Sequence, residues 1–179
     1  MIIARQKRKD SIVEYIIYMW HVEEMLRACG FDMDAVEARI IARYGQPESV
    51  RQEVRAWYRE LIAMARSEGV VEKGHLQILK DDVAALSALH DRLLLSPHET
   101  LYGSLYYQAL PAIVQLRAKD GNVRTSEIES CLTAIYGYFL LKMQAKEISD
   151  ETTESVKHIS KLLAFLAAKF HEEDKSLGV

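Results

Sequence analysis

The sequence predicts an all-α protein, a single bundle of six to seven helices whose neighbours are mostly antiparallel. Apolar residues recur every three to four positions along most of the chain, and no stretch alternates convincingly with the period of two that is typical of strands. Only eight glycines and three prolines occur in 179 residues, too few for the tight turns of sandwiches and barrels. The connections between periodic segments are short, which favours antiparallel packing.

The first three helices are predicted from apolar spacing and from residues that typically begin or end helices. The first covers about residues 10–29 and ends at Gly30. It is apolar over so much of its circumference that we expect it at the centre of the bundle. The second covers about residues 34–44. The third covers about residues 47–69 and begins with Pro47, a favourable residue for a first turn.

Four further helices are predicted, at about residues 76–95, 99–119, 126–146 and from Ser149 onward. The fifth helix contains Pro111 in its interior, where proline removes a backbone hydrogen bond and clashes with the carbonyl four residues earlier. We therefore expect this helix to be kinked or split near Pro111. The last helix carries a regular apolar stripe, which consists of Val156, Ile159, Leu163, Leu166 and Phe170.

Length and composition indicate one domain over residues 1–179, with a core at about residues 10–172. The chain has 23 basic and 26 acidic residues, and its net charge of −3 makes binding to nucleic acid unlikely. The apolar run of residues 12–20 contains Glu14 and is shorter than the roughly 20 residues that span a membrane. We expect a cytoplasmic protein with reduced thiols at Cys29 and Cys131.

Tyrosines cluster around the predicted kink. Tyr102, Tyr106 and Tyr107 precede Pro111, and Arg117 follows it on the same helix. A tyrosine offers a flat apolar ring with a polar tip, which suits a ligand pocket or a partner surface. Aromatic core packing, with the hydroxyl groups reaching water, is the favoured alternative.

The first helix carries a second group of candidates. His21 and Glu24 lie one turn apart on a helix that should be central, beside Trp20. A polar strip at such a position indicates either a pocket facing a cleft or a solvated edge. If Trp20 and His21 line one cavity with the fifth-helix candidates, small-molecule binding is favoured over scaffolding.

Two other patterns suggest different classes of function. His90 and Asp91 are adjacent, as in helical metal-dependent phosphohydrolases. His75 could supply one further ligand, and Asp120 or Asp150 another. His90, however, falls on the apolar stripe of its helix, which favours a core histidine beside a solvated aspartate.

Arginines also recur every four residues on the third helix, at positions Arg51, Arg55 and Arg59. A nucleic-acid-associated regulator could use them, although interleaved glutamates favour an ion-paired face.

Four stretches together carry a family resemblance: KRKDSIVEYIIYMWHVEEMLRACGFD, WYRELIAMARSEGVVEKGHLQI, LYGSLYYQALPAIVQLRAK and EIESCLTAIYGYFLLKMQAKEIS. They resemble a bacterial family of unknown function, over about residues 1–170. The resemblance implies a small, helical, single-domain cytoplasmic protein, and it supplies no catalytic residue, cofactor or partner. We therefore expect a non-catalytic binding protein that uses no cofactor and forms a homodimer, with room for a small-molecule pocket. A metal-dependent hydrolase is the alternative.

Overall fold

The computed structural model describes residues 2–120 and 125–176, and within these ranges the chain is all-α, without a strand. One 3₁₀ turn, Ile41–Arg43, accompanies the helices. The eight helices of the described ranges are α1 Ile2–Asp10, α2 Ile12–Ala28, α3 Met33–Arg39, α4 Glu48–Ser67, α5 Gln77–Leu95, α6 Thr100–Asp120, α7 Glu127–Met143 and α8 Asp150–Ser176. The predicted fold class is confirmed.

The predicted number of helices, six to seven, is too low because the prediction did not include α1. Helix α1 is strongly polar, and of its apolar residues Ala4 is buried while Ile3 remains exposed. Because α1 has no apolar stripe, the spacing of apolar residues does not reveal it. Ser11 separates α1 from α2, since its backbone is extended and its hydroxyl accepts the Glu14 N–H at 3.4 Å.

Helix α6 runs without interruption through Pro111, so the helix is not split, and the predicted kink is not confirmed. Pro111 lies on the exposed side of α6. At such a position water can bond to the carbonyl that loses its N–H partner, so the helix can continue.

The helices enclose one hydrophobic core that includes residues from 4 to 167. Helix α8 packs against α2, α5, α6 and α7, and α2 in turn packs against α1, α5, α7 and α8. The predicted central position of α2 is therefore confirmed. The apolar stripe of α5, which consists of Leu79, Val83, Leu86 and Leu93, is buried throughout, whereas Phe139, at helical spacing from the buried Ile128 and Leu132 of α7, is 38% exposed.

An ion pair docks α1 on the bundle. The Arg8 guanidinium donates two hydrogen bonds to Asp82 of α5, at 2.6 and 2.9 Å, and lies 4.9 Å from the centre of the Tyr15 ring. Asp82 is buried, so this bidentate partner replaces the contacts with water that the carboxylate loses. Among the described residues, no helix is both long enough and apolar enough to cross a membrane.

Candidate functional site

A groove of about 540 Å³ runs along one face of α5, between the middle of α2 and the start of α7. Positions 80, 84, 87, 88 and 91 recur along this groove at helical spacing, so they form one face of α5. Trp20 and His75 border the groove on the side of α2, and Ser126 and Glu129 border it on the side of α7. Its volume lies within the range of small-molecule sites.

The α2 wall of the groove is a stacked pair of rings braced by a buried carboxylate. The rings of Trp20 and His75 are 4.6 Å apart and inclined by 19°. Glu23, 3% exposed, places Oε2 2.5 Å from His75 Nδ1, and its Oε1 accepts the Leu76 N–H at 2.8 Å. Because a carboxylate accepts, His75 donates through Nδ1–H. The Nε2 atom of His75 has no partner within the described part of the chain.

Arg27 fixes the segment that carries His75. Its Nη2 donates to the carbonyls of Val70, at 3.2 Å, and of Gly74, and its Nη1 pairs with Glu24 at 2.6 Å. Gly74 has a φ of +88°, a conformation that glycine adopts without strain. The predicted candidate Glu24 thus helps to hold the Arg27 clamp and is itself exposed.

His21 contacts the far half of α7. Its ring centre is 5.5 Å from that of Phe139 and 6.5 Å from that of Tyr136. Burial lowers the pKa of His21, against the opposing effect of the Glu24 carboxylate. His21 is not among the residues that line the α5 groove, whereas its neighbour Trp20 is. The three α2 candidates therefore do not converge on one point.

Three candidates of α6 do converge, around Glu127 at the start of α7. The His90 ring, 4% exposed, places Nδ1 2.6 Å from the Tyr102 hydroxyl and Nε2 3.6 Å from Glu127 Oε2. The Tyr106 ring is 5.4 Å from the His90 ring. Arg117 Nη1 lies 3.3 Å from the other Glu127 oxygen. The sequence predicted Tyr102, Tyr106 and Arg117 here but not Glu127.

Burial sets the protonation of this polar cluster. It lowers the pKa of His90, and it raises the pKa values of Tyr102 and of Tyr106, the latter to about 12. Burial also raises the pKa of the nearby Cys131 thiol to about 12. Neutral forms of all four groups therefore prevail near pH 7. Tyr102 and Cys131 are fully buried, which leaves a substrate no access to them and favours a structural role.

Tyr107 lies apart from these groups, since 73% of its surface is exposed on the outer side of α6. It lines a second groove, of about 650 Å³, at the corner between α5 and α6, whereas Trp20 lines the first. The candidates therefore do not share one cavity, which was the arrangement that would have favoured small-molecule binding at these residues.

Among the residues it describes, the structure does not assemble the site that the metal-dependent hydrolase hypothesis requires. In the parts of the chain that the structure describes, no group of three or more His, Cys, Asp or Glu side chains could hold a metal ion. His75 pairs with Glu23, His90 bonds to Tyr102, and Asp91 is exposed in the groove. The side chain of Asp120, a further metal candidate, lies outside the described residues.

The arginine face of α4 is largely neutralised by glutamates. Arg55 donates two hydrogen bonds to Glu37, at 2.7 and 2.8 Å, and Arg51 lies 2.6 Å from Glu48. Arg59 is exposed. Such pairing leaves little free positive charge for phosphate contacts.

Comparison with known proteins gives one match. The family model described as "Domain of unknown function (DUF4924)" covers residues 1–176. Neither the curated proteins nor the solved structures contain a match.

Proposed function

The chain belongs to the DUF4924 family, and we propose that it is a non-catalytic binding protein that forms a homodimer through the outer face of α6. One observation carries this proposal: residues 100–116, nearly the whole of α6, include no charged side chain. A solvated helix face normally carries charges.

The outer face of α6 exposes large apolar side chains among the uncharged polar residues Ser104, Gln108 and Gln115. Leu101, Tyr107 and Val114 follow one another at intervals of six and seven residues, and they are 60%, 73% and 58% exposed. Pro111 lies exposed between the last two. An uncharged helix face that exposes several large apolar side chains is typical of an interaction site.

A second copy of the chain fits this face. A face without charge has no need for a partner of opposite charge, so two identical faces can pack about a two-fold axis. The charges that flank the face are opposite, with Glu99 before it and Lys119 after it. Glu99 is held by Lys169 of α8 at 2.9 Å, so its charge is already paired and does not oppose the packing of a second copy.

Light scattering coupled to size exclusion tests the dimer. We expect a dimer at micromolar concentration, and we expect Tyr107→Glu and Val114→Glu each to weaken it about a hundredfold, because each buries an unpaired charge. Ala63→Glu, on the exposed side of α4, is the matched control and should leave the dimer intact. A wild-type chain that stays monomeric, or glutamate variants that still dimerise, would contradict the proposal.

Binding is preferred to catalysis because the histidines of the hydrolase hypothesis have separate partners. Elemental analysis of protein purified without chelator tests this preference, and a stoichiometric transition metal would overturn it. The cytoplasm is the proposed location, which the two free and buried cysteines support.

A further inference from the structure

We propose that the α5 groove binds an elongated zwitterion, a molecule with a carboxylate at one end, an ammonium group at the other and an aliphatic chain between them. The site consists of side chains from α2, α5, α7 and the segment before α5. It does not include the outer face of α6, so it is independent of the proposed dimer.

The end of the groove beside α2 offers hydrogen-bond donors. Trp20 is 3% exposed, and its Nε1–H has no hydrogen-bond partner within the described ranges. A buried donor without an acceptor is costly, which indicates that a ligand or water supplies one. Lys80 is exposed at the same end and has no ion pair among the described residues. The Lys80 ammonium group suits a carboxylate, and the Trp20 Nε1–H, which is itself buried, adds a second donor once the ring turns toward the groove.

The other end of the groove is acidic. Asp91 of α5 and Glu129 of α7 both line it, beside the hydroxyl groups of Ser87 and Ser126, which lie 2.9 Å apart. Neither carboxylate has a hydrogen bond or ion pair in the described part of the chain. Other acidic side chains, such as Asp82, are held by arginines. Two free carboxylates beside two hydroxyl groups suit an ammonium group.

The distance between the two ends sets the length of the ligand. Lys80 and Asp91 are separated by three turns of α5, which is roughly 16 Å along the helix axis. Between them α5 presents Val83, Ala84 and Ala88, which are small and uncharged. An aliphatic chain fits this middle section, because it needs no hydrogen-bond partners there.

Tryptophan fluorescence can follow binding at this site. The chain has two tryptophans, so the Trp57→Phe variant reports on Trp20 alone. The matched probe is 12-aminododecanoic acid, whose length fits the groove. Three comparison probes are the diamine of the same length, the dicarboxylic acid of the same length, and the shorter 6-aminohexanoic acid. We expect saturable binding of 12-aminododecanoic acid, about tenfold tighter than that of the other three, because only it satisfies both charged ends. Calorimetry on the wild-type chain provides the same affinities without a substitution.

Two variants test the two ends of the groove independently. Lys80→Ala should weaken 12-aminododecanoic acid about tenfold but should not weaken the diamine, which loses a like-charge repulsion, whereas Asp91→Asn should weaken both ligands. Lys161→Ala, on the exposed side of α8, is the control and should change neither. The proposal is overturned if the diamine or the diacid binds as tightly as the zwitterion, or if no probe binds saturably. Tyr107→Glu should leave the zwitterion affinity unchanged, so failure of the dimer and failure of the groove site are distinguishable.

Discussion

Glu23 Oε2 lies 2.5 Å from His75 Nδ1, and the contact joins residues 52 positions apart in the sequence. The same carboxylate accepts the Leu76 N–H, and Glu68 accepts the next one, from Gln77, at 2.6 Å. Leu76 occupies the N-cap position of α5 and has no side chain that could cap the helix. The backbone donors at the start of α5 are therefore satisfied by glutamates from elsewhere in the chain.

Replacing Glu23 should destabilise the protein strongly. Glu23→Ala leaves the Leu76 N–H and the His75 Nδ1–H without acceptors, and we expect a loss of about 3 kcal/mol in the free energy of unfolding. Urea denaturation followed by circular dichroism measures it. Glu24→Ala, one residue further along and exposed, is the control and should cost well under about 1 kcal/mol. Equal losses in both variants would contradict the capping role of Glu23.

The buried hydrogen bond between His90 and Tyr102 should also be measurable. Tyr102→Phe keeps the ring but removes the hydroxyl group that lies 2.6 Å from His90 Nδ1. We expect a loss of about 1–2 kcal/mol in unfolding free energy, because a buried nitrogen loses its partner. Tyr107→Phe should change it by less than about 0.5 kcal/mol, since Tyr107 is exposed. If Tyr102→Phe left the free energy of unfolding unchanged, the hydrogen bond between His90 and Tyr102 would contribute little to stability.

Stability should fall as the pH drops from 7.5 to 5. Burial lowers the pKa values of His90 and His21 in the folded state, so the unfolded chain binds more protons once the pH falls below the ordinary histidine pKa of about 6.5. The stabilisation present above that pH is lost toward the folded-state pKa values. Urea denaturation across this range measures the slope, and His90→Gln should reduce it. His98→Gln, at an exposed histidine, should leave the slope unchanged.

Helix α1 should detach when its ion pair is removed. Arg8→Ala leaves the buried Asp82 carboxylate without its bidentate partner. Because Arg8 itself is partly exposed, we expect a modest cost of about 1–2 kcal/mol, discounted for solvent screening. Hydrogen exchange of residues 3–10 should accelerate at the same time. Arg5→Ala removes an exposed arginine of the same helix, and comparable exchange in this variant would speak against the docking role of Arg8.

The helices could be predicted because an apolar stripe is a local property of the sequence. Leu79, Leu86 and Leu93 repeat at heptad spacing, and all three are buried. Phe139 continues the stripe of α7 equally well, yet it is exposed, because spacing reveals the apolar face but not where the neighbouring helices end.

The site was harder to predict because its contacts join distant segments. Glu23 lies four residues after Met19 and three before Leu26, both buried, so its position on a core face was the one available signal. Its partner His75 could not be inferred from spacing. Glu127 could not be inferred from spacing either, because its role depends on how α5, α6 and α7 pack together.

The central place of α8 has a consequence for biosynthesis. This helix contacts four others, α2, α5, α6 and α7, and it follows all of them in the chain. During synthesis on the ribosome, the apolar faces of those four helices stay exposed until α8 has emerged from the exit tunnel. Closure of the bundle is thus a late event in translation, and the nascent polypeptide is a natural client for chaperones until then.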